Sequence, residues 1–412
     1  MGRENMPAIV VAGPVVMLKR LAFGCALLGL ALAAPGALAQ QGGDPLRGQF
    51  GAIEMALTPT EAADDVARMA DALAKLPPQR PGVVDTYIVS ASLWNDPVFE
   101  REASEAAGIL ARRYDATDRT VILSAGTGPG VARAYPSSAP NNFNAALGRI
   151  GRIIDPREDL VIVFVTSHGG QDGAVAIQEK GRMGGALRPI HLRNSLQQAG
   201  INTKLVIVSA CFSGHFILPF SDSDTVVLTA AAADKTSFGC EPSRDWTFFG
   251  DALFNHALRS GGSLMSAYSE ALTLITKWEG DVHAQWQASP ASQRQRQPEP
   301  VASNPQSNVG DSASATISKA EAYGVAIACA GHMSFALDRA KAGRPLKGLA
   351  DTAAITSALT AAQGRANTEG ATRGRSQQDT AKAIAVIATS ALQVFSTQTT
   401  EVTAHAAKCM AP

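Results

Sequence analysis

Two stretches decide the fold: LVIVFVTSHGGQDG at residues 160–173 and KLVIVSACFSGHF at residues 204–216. Each is a β-branched apolar run that stops at small residues and one reactive side chain. The first delivers His168 ahead of Gly169 and Gly170; the second delivers Cys211 within Ser-Ala-Cys-Phe-Ser-Gly. Unbroken apolar character, rather than alternation, is what a strand covered on both faces requires. Ligands bind beyond the carboxyl ends of such parallel strands. His168 and Cys211 both fall there, so the two stretches predict a Cys-His pair on one edge of a parallel sheet.

The flanking sequence extends this pattern. Residues 83–91 and 120–124 read as strands, and residues 224–229 as a further one. Helical patterns occupy residues 60–76, 97–114, 141–154, 191–199, 245–259 and 262–278. Strands alternating with helices of this length mean βαβ units and an α/β fold. Residues 288–312 are rich in Gln, Ser and Pro and read as a linker or closing segment. The Ala-rich remainder reads as helices with breaks near residues 343–345 and 370–374. The expected plan is an N-terminal segment at 40–82, an α/β domain at 83–310 and a helical region at 311–412. The glycine-rich run at residues 126–130 precedes no helical pattern and is no phosphate loop.

Composition narrows the class. Among 412 residues, Lys plus Arg and Asp plus Glu both number 36, so no charge excess points to nucleic acid or to a membrane surface. Residues 1–39 have the order of an export signal. Lys19 and Arg20 precede an apolar run at 21–34, and Ala37-Leu38-Ala39 forms a small-x-small cleavage site before Gln40. Met17 alone would start a conventional signal. The rival is an uncleaved anchor, because residues 7–39 are mostly apolar. With cleavage, the protein is expected to be periplasmic or secreted, with no membrane span left.

Four cysteines then remain: Cys211, Cys240, Cys329 and Cys409. An oxidising compartment invites disulfides, and four cysteines allow three full pairings that sequence does not choose among. Cys329 and Cys409 share the C-terminal region and form one candidate pair, leaving Cys211 and Cys240 as thiols. A Cys211–Cys240 bridge would instead mean a latent, oxidised protein.

The chemistry of the pair is acyl transfer. A Cys211 thiolate attacks a carbonyl carbon and the His168 imidazole protonates the leaving amine. Glycine lets backbone N–H groups approach a bound carbonyl closely, so the N–H groups of Gly169 and Cys211 are the expected oxyanion hole. No Cys or His spacing, including that of Cys211 and His215, makes a zinc site. Neither metal nor cofactor is expected.

With these residues on the page, the chain resembles the legumain-type cysteine peptidases, which share the caspase-like fold. The family's Thr-Asp-His-Gly and Glu-Ala-Cys-x-Ser-Gly strand ends stand here as Thr166-Ser167-His168-Gly169 and Ser209-Ala210-Cys211-Phe212-Ser213-Gly214. Downstream, Thr229–Ala232, the run Thr236-Ser237-Phe238-Gly239-Cys240 and Phe249-Gly250-Asp251 are similar to further family stretches. Ser303-Asn304-Pro305-Gln306 looks like the end of the catalytic domain of bacterial members. The resemblance covers residues 83–310 and implies a three-layer fold with a mainly parallel central sheet, followed here by an α-helical extension. It implies a peptidase acting on peptides or proteins. It assigns Ser209, Ser237, Asp251 and Arg101 to the substrate pocket and Asn95 to orienting the histidine. Ser209 replaces the family's acidic residue, so a preference for Asn or Asp does not carry over. A transpeptidase or transamidase would use the same residues, and a non-catalytic envelope protein could retain the fold. Oligomeric state is not legible.

Overall fold

A computed structural model describes residues 58–126, 132–179, 183–349, 351–394 and 399–410. The expected export signal and most of the glycine-rich run at 126–130 lie outside the described residues.

The central sheet contains β1 (Thr86–Ser92), β2 (Thr120–Ser124), β3 (Leu160–Thr166), β6 (Lys204–Ser209), β7 (Thr225–Thr229) and β8 (Gln306–Val309). Their order is β2-β1-β3-β6-β7-β8. The first five are parallel, and β8 closes one edge antiparallel to β7. A separate antiparallel pair, β4 (Val175–Glu179) and β5 (Met183–Leu187), leads away from the end of β3.

The unbroken apolar strands serve two cores. In β3, Leu160, Ile162 and Phe164 face one hydrophobic cluster, and Val161, Val163 and Val165 face the other. The first cluster is covered by α2 (Pro97–Arg113), α6 (Leu264–Ala288) and the opening turns of α8 (Asp311–Lys341). The second is covered by α1 (Pro59–Ala74), α3 (Pro140–Gly151) and α4 (Pro189–Gln198). This is the three-layer, mostly parallel α/β architecture, and it is consistent with the caspase-like fold.

Some elements differ from the sequence reading. The segment at 245–259 is not one helix: it divides into the single turn α5 (Phe248–Gly250), a π-helical stretch Asp251–His256 and a 3₁₀ turn Ala257–Arg259. The following helix, α6, runs ten residues beyond 278. The stretch expected to be a linker contains the short turn α7 (Ala291–Arg294) and the edge strand β8. β8 is the polar segment QSNV, half exposed in alternation, so nothing apolar announces it; pairing with β7 creates it.

The helical region is packed against the sheet from its first turns. Ala313, Ile317 and Ala320 of α8 are buried in the same cluster as Leu205, Val226 and Leu228 of the sheet. Further along α8, Gly324 lets the backbone of Arg113 in α2 approach; a Cβ there would lie 2.0 Å from the Arg113 carbonyl oxygen. The Arg113 guanidinium meets Glu321 at 2.7 Å with both side chains almost wholly buried. Glu321 also accepts from the Leu264 N–H at 3.1 Å, at the start of α6. The rest of α8 joins α9 (Thr352–Thr372), α10 (Gln377–Val394) and α11 (Thr399–Met410) around a third cluster. There Cys329 and Cys409 are disulfide-bonded with Cα atoms 5.3 Å apart, whereas Cys211 and Cys240 are free thiols. His332 and His405 are buried helix residues with ring centroids 5.3 Å apart.

Candidate active site

Register places the two reactive residues side by side. Thr166 and Ser209 are paired at the ends of β3 and β6. His168 and Cys211 each follow two residues later, and the Ser167 N–H still donates to the Ser209 carbonyl at 3.1 Å. The strands end here because small residues and a turn take over: Gly173 N–H bonds the Gly170 carbonyl at 2.9 Å, with Gly173 at a φ of +74°. After the cysteine, Phe212 adopts a φ of +57°, a region uncommon for a bulky residue, and its N–H donates to the Lys235 carbonyl at 2.7 Å. Strain of this kind clusters at functional sites.

The imidazole of His168 is held on three sides. Trp94 and Phe99 pack edge-on against it, with ring centroids 5.1 and 5.0 Å away. Asp96 Oδ2 lies 3.4 Å from Nε2. Asp96 is the N-cap of α2, yet its side chain makes no capping bond and turns to the histidine instead. The residue expected to orient His168 was Asn95; the side chain that reaches the ring is its neighbour. An Asp before Pro97 reads as an ordinary helix start, so no sequence signal marked it.

Cys211 sits among donors. The Ser237 N–H donates to Sγ at 3.3 Å, and the Ser237 hydroxyl lies 3.5 Å away. The Cys211 thiol is held well below its ordinary pKa, chiefly by a hydrogen bond from the Cys240 thiol. Ser237 and a charged His168 add to this, while burial opposes it. Cys240 shifts the opposite way, raised by its bond to Cys211, by burial and by the charges of Cys211 and Glu102. The arrangement puts the negative charge on Cys211 and keeps the proton on Cys240.

The backbone beside the thiol leaves donors unused. The bridge between Gly169 and Val175 is made by Ala176 N–H to His168 O at 2.9 Å and Gly170 N–H to Ala174 O at 2.8 Å. Gly169 N–H takes part in neither bond. Nor does the Cys211 N–H donate to a protein acceptor among the described residues. Gly214 is also required: a Cβ there would lie 2.4 Å from the Ala233 nitrogen.

The expected pocket residues divide. Ser237 touches the thiol, as described. Ser209 is 1% exposed and its hydroxyl points inward to Thr247 at 3.1 Å, so it forms no accessible wall. Arg101 braces a loop, donating to the carbonyls of Pro242 and Arg244 and pairing with Asp245 at 3.0 Å. Asp251 bonds Asn255 at 2.8 Å within its own helix and lies 3.5 Å from His256. Burial pushes its carboxyl up, but these two side chains outweigh that and hold it below its ordinary range. No group of three or more metal-ligating side chains occurs among the described residues.

The sheet thus carries a thiol and an imidazole on one edge of an α/β fold. Residues 139–287, which carry both His168 and Cys211, match the model of the peptidase C13 family. That family is the legumain-type cysteine peptidases, hydrolases whose substrates are peptides or proteins, and the match supports a cysteine peptidase here. No curated protein matches the chain.

Proposed function

We propose that the protein cleaves peptide bonds with Cys211 as nucleophile and His168 as acid–base partner, through a thioester acyl-enzyme. The observation that carries this reading is the common register of β3 and β6, which brings both groups to one sheet edge. The lowered thiol pKa supports a thiolate at neutral pH. In the first step sulfur attacks the carbonyl carbon and the N–H groups of Gly169 and Cys211 receive the oxyanion. His168 protonates the departing amine; it then deprotonates the water that opens the thioester. An amine in place of that water would make the product a transpeptide, and the same residues would serve.

The proposed setting is the periplasm or the exterior, reached through removal of residues 1–39. Among the described residues no helix is long and apolar enough to cross a membrane.

The test is turnover of a mixed library of internally quenched peptides by exported, purified protein. Cys211→Ala should abolish cleavage with an unchanged far-UV circular dichroism spectrum. His168→Ala should cost on the order of 10²–10⁴-fold in rate. Full activity in Cys211→Ala would overturn the assignment. Adding an amine acceptor and weighing the products separates hydrolysis from transfer. Intact mass of the exported chain reports whether it begins at Gln40.

A further inference from the structure

Beneath the reactive edge lies a carboxylate that the mechanism does not use. Glu102 of α2 is fully buried. One of its oxygens, Oε2, accepts from the hydroxyl of Thr166, the last residue of β3. The other, Oε1, accepts from the hydroxyl of Thr247 at 2.6 Å. Thr247 in turn is 3.1 Å from the hydroxyl of Ser209, the last residue of β6. One side chain thus reaches both strand ends, two residues short of His168 on one side and of Cys211 on the other. The space is shaped for it: a Cβ on Gly250 would sit 1.7 Å from Oε1.

We propose that Glu102 is a positioning residue for the dyad, fixing the separation of His168 and Cys211 by clamping the ends of β3 and β6 through Thr166, Thr247 and Ser209. The proposal rests on the dyad reading above. The direction of the bonds makes the clamp depend on ionisation. Thr247 Oγ already accepts from the Gly250 N–H at 3.0 Å and faces the Ser209 hydroxyl, so its own proton goes to Glu102. A protonated Glu102 must therefore place its hydrogen on the Thr166 side, where the bond reverses and becomes a weaker neutral one donated to the Thr166 hydroxyl oxygen. A carboxylate accepts from both hydroxyls, and these charge-assisted bonds make the tighter clamp.

Burial pushes the Glu102 carboxyl up to about 7, against the Thr166 and Thr247 bonds that lower it. The other titratable groups facing it are Asp251, from the π-helical stretch, and Cys240, from the loop beyond Ser237. Asp251 is held low, with His256 on its far side, and Cys240 is held high. Between them Glu102 is the group that changes charge near neutrality. Because its folded-state pKa lies above its ordinary value, it weakens the fold as pH rises from the ordinary carboxylate range through about 7. The clamp is formed at the expense of stability, and that separates positioning from mere structural support.

The experiment compares wild type, Glu102→Gln, Thr166→Val and Thr166→Ser as full-length exported proteins on the same peptide library from pH 5 to 9. Cys211→Ala serves as the blank. Displacing a reacting pair slightly costs up to about 10²-fold. Glu102→Gln should lower kcat by roughly ten- to a hundredfold at pH 8 with KM within about twofold, and should lose the inflection near pH 7. It should melt at or above wild type at pH 8, and iodoacetamide should still label Cys211. Thr166→Val should lose turnover and Thr166→Ser should restore it. A Glu102→Gln profile superimposed on wild type overturns the proposal, as does a loss of turnover matched by a lower melting temperature. If Glu102→Gln fails to fold, the two Thr166 variants decide. Activity surviving in Cys211→Ala would indict the dyad reading rather than the clamp.

Discussion

Gly169 lies flat against the backbone of Cys211: a Cβ built on it would sit 1.9 Å from the Cys211 carbonyl oxygen and 3.1 Å from its nitrogen. The residue after His168 and Cys211 itself are thus packed backbone to backbone. Their unused N–H groups are the ones assigned to the oxyanion.

Gly169→Ala should therefore separate the two strand ends. The contact is with backbone, which cannot swing aside as a flexible side chain would. Loss of one oxyanion donor costs on the order of 10²–10³-fold in kcat. A kcat loss of that order is expected, with Cys211 still alkylated by iodoacetamide, as mapped by mass spectrometry. Unchanged kcat would remove Gly169 N–H from the site.

Cys240→Ala should raise the pH at which Cys211 becomes a thiolate. The Cys211 pKa is depressed first by the Cys240 thiol, then by Ser237 and by the charge on His168. Removing the first donor leaves Ser237 and His168 to work against burial, so the midpoint of alkylation rate against pH moves up. Ser237→Ala should move it less, because the backbone N–H at 3.3 Å remains. A midpoint unmoved by Cys240→Ala would show that the two thiols do not interact.

What was legible in the sequence, and what was not, follows from range. His168 and Cys211 could be found because each ends an unbroken apolar run, a local pattern with one physical cause. The five parallel strands were legible for the same reason. β8 was not, since its residues are polar and only pairing with β7 makes it a strand. Asp96 looks like a cap residue until Trp94 and Phe99 are seen around the same imidazole. Glu102 sits on a helix whose pattern says only that one face is buried. Its partners lie 64 and 145 residues away, so nothing local marks it. Ser209 and Arg101, assigned by resemblance, are turned to Thr247 and to the 242–245 loop by contacts of the same long-range kind.

Glu321→Ala should be severely destabilising. It would leave the Arg113 guanidinium buried without its carboxylate and the Leu264 N–H without an acceptor. Breaking a buried ion pair from one side costs about 3–5 kcal/mol. Denaturant titration should show a lower midpoint of that size. Replacing both partners by apolar residues of similar volume should cost much less, because no charge is then stranded. Equal losses in the single and double variants would mean the site is packing alone.

Reductant should act on this protein in two opposite ways. The Cys329–Cys409 bridge closes a sequence separation of 80 residues. In the chain-entropy model that is worth about 4–5 kcal/mol. The bridge lies against Gly261, where a Cβ would sit 2.1 Å from the Cys329 sulfur, so it pins the third cluster to the segment leading into α6. Cys211, in contrast, is a free thiol, and the proposed chemistry needs it to stay one. The Cys329→Ala/Cys409→Ala variant should unfold at lower denaturant concentration yet keep its kcat well below its melting temperature, because β3 and β6 belong to the other two clusters. In wild type, a low concentration of thiol should preserve turnover. Complete reduction should lower the melting temperature to that of the double variant. A double variant as stable as wild type would show that the helices, and not the bridge, hold that region.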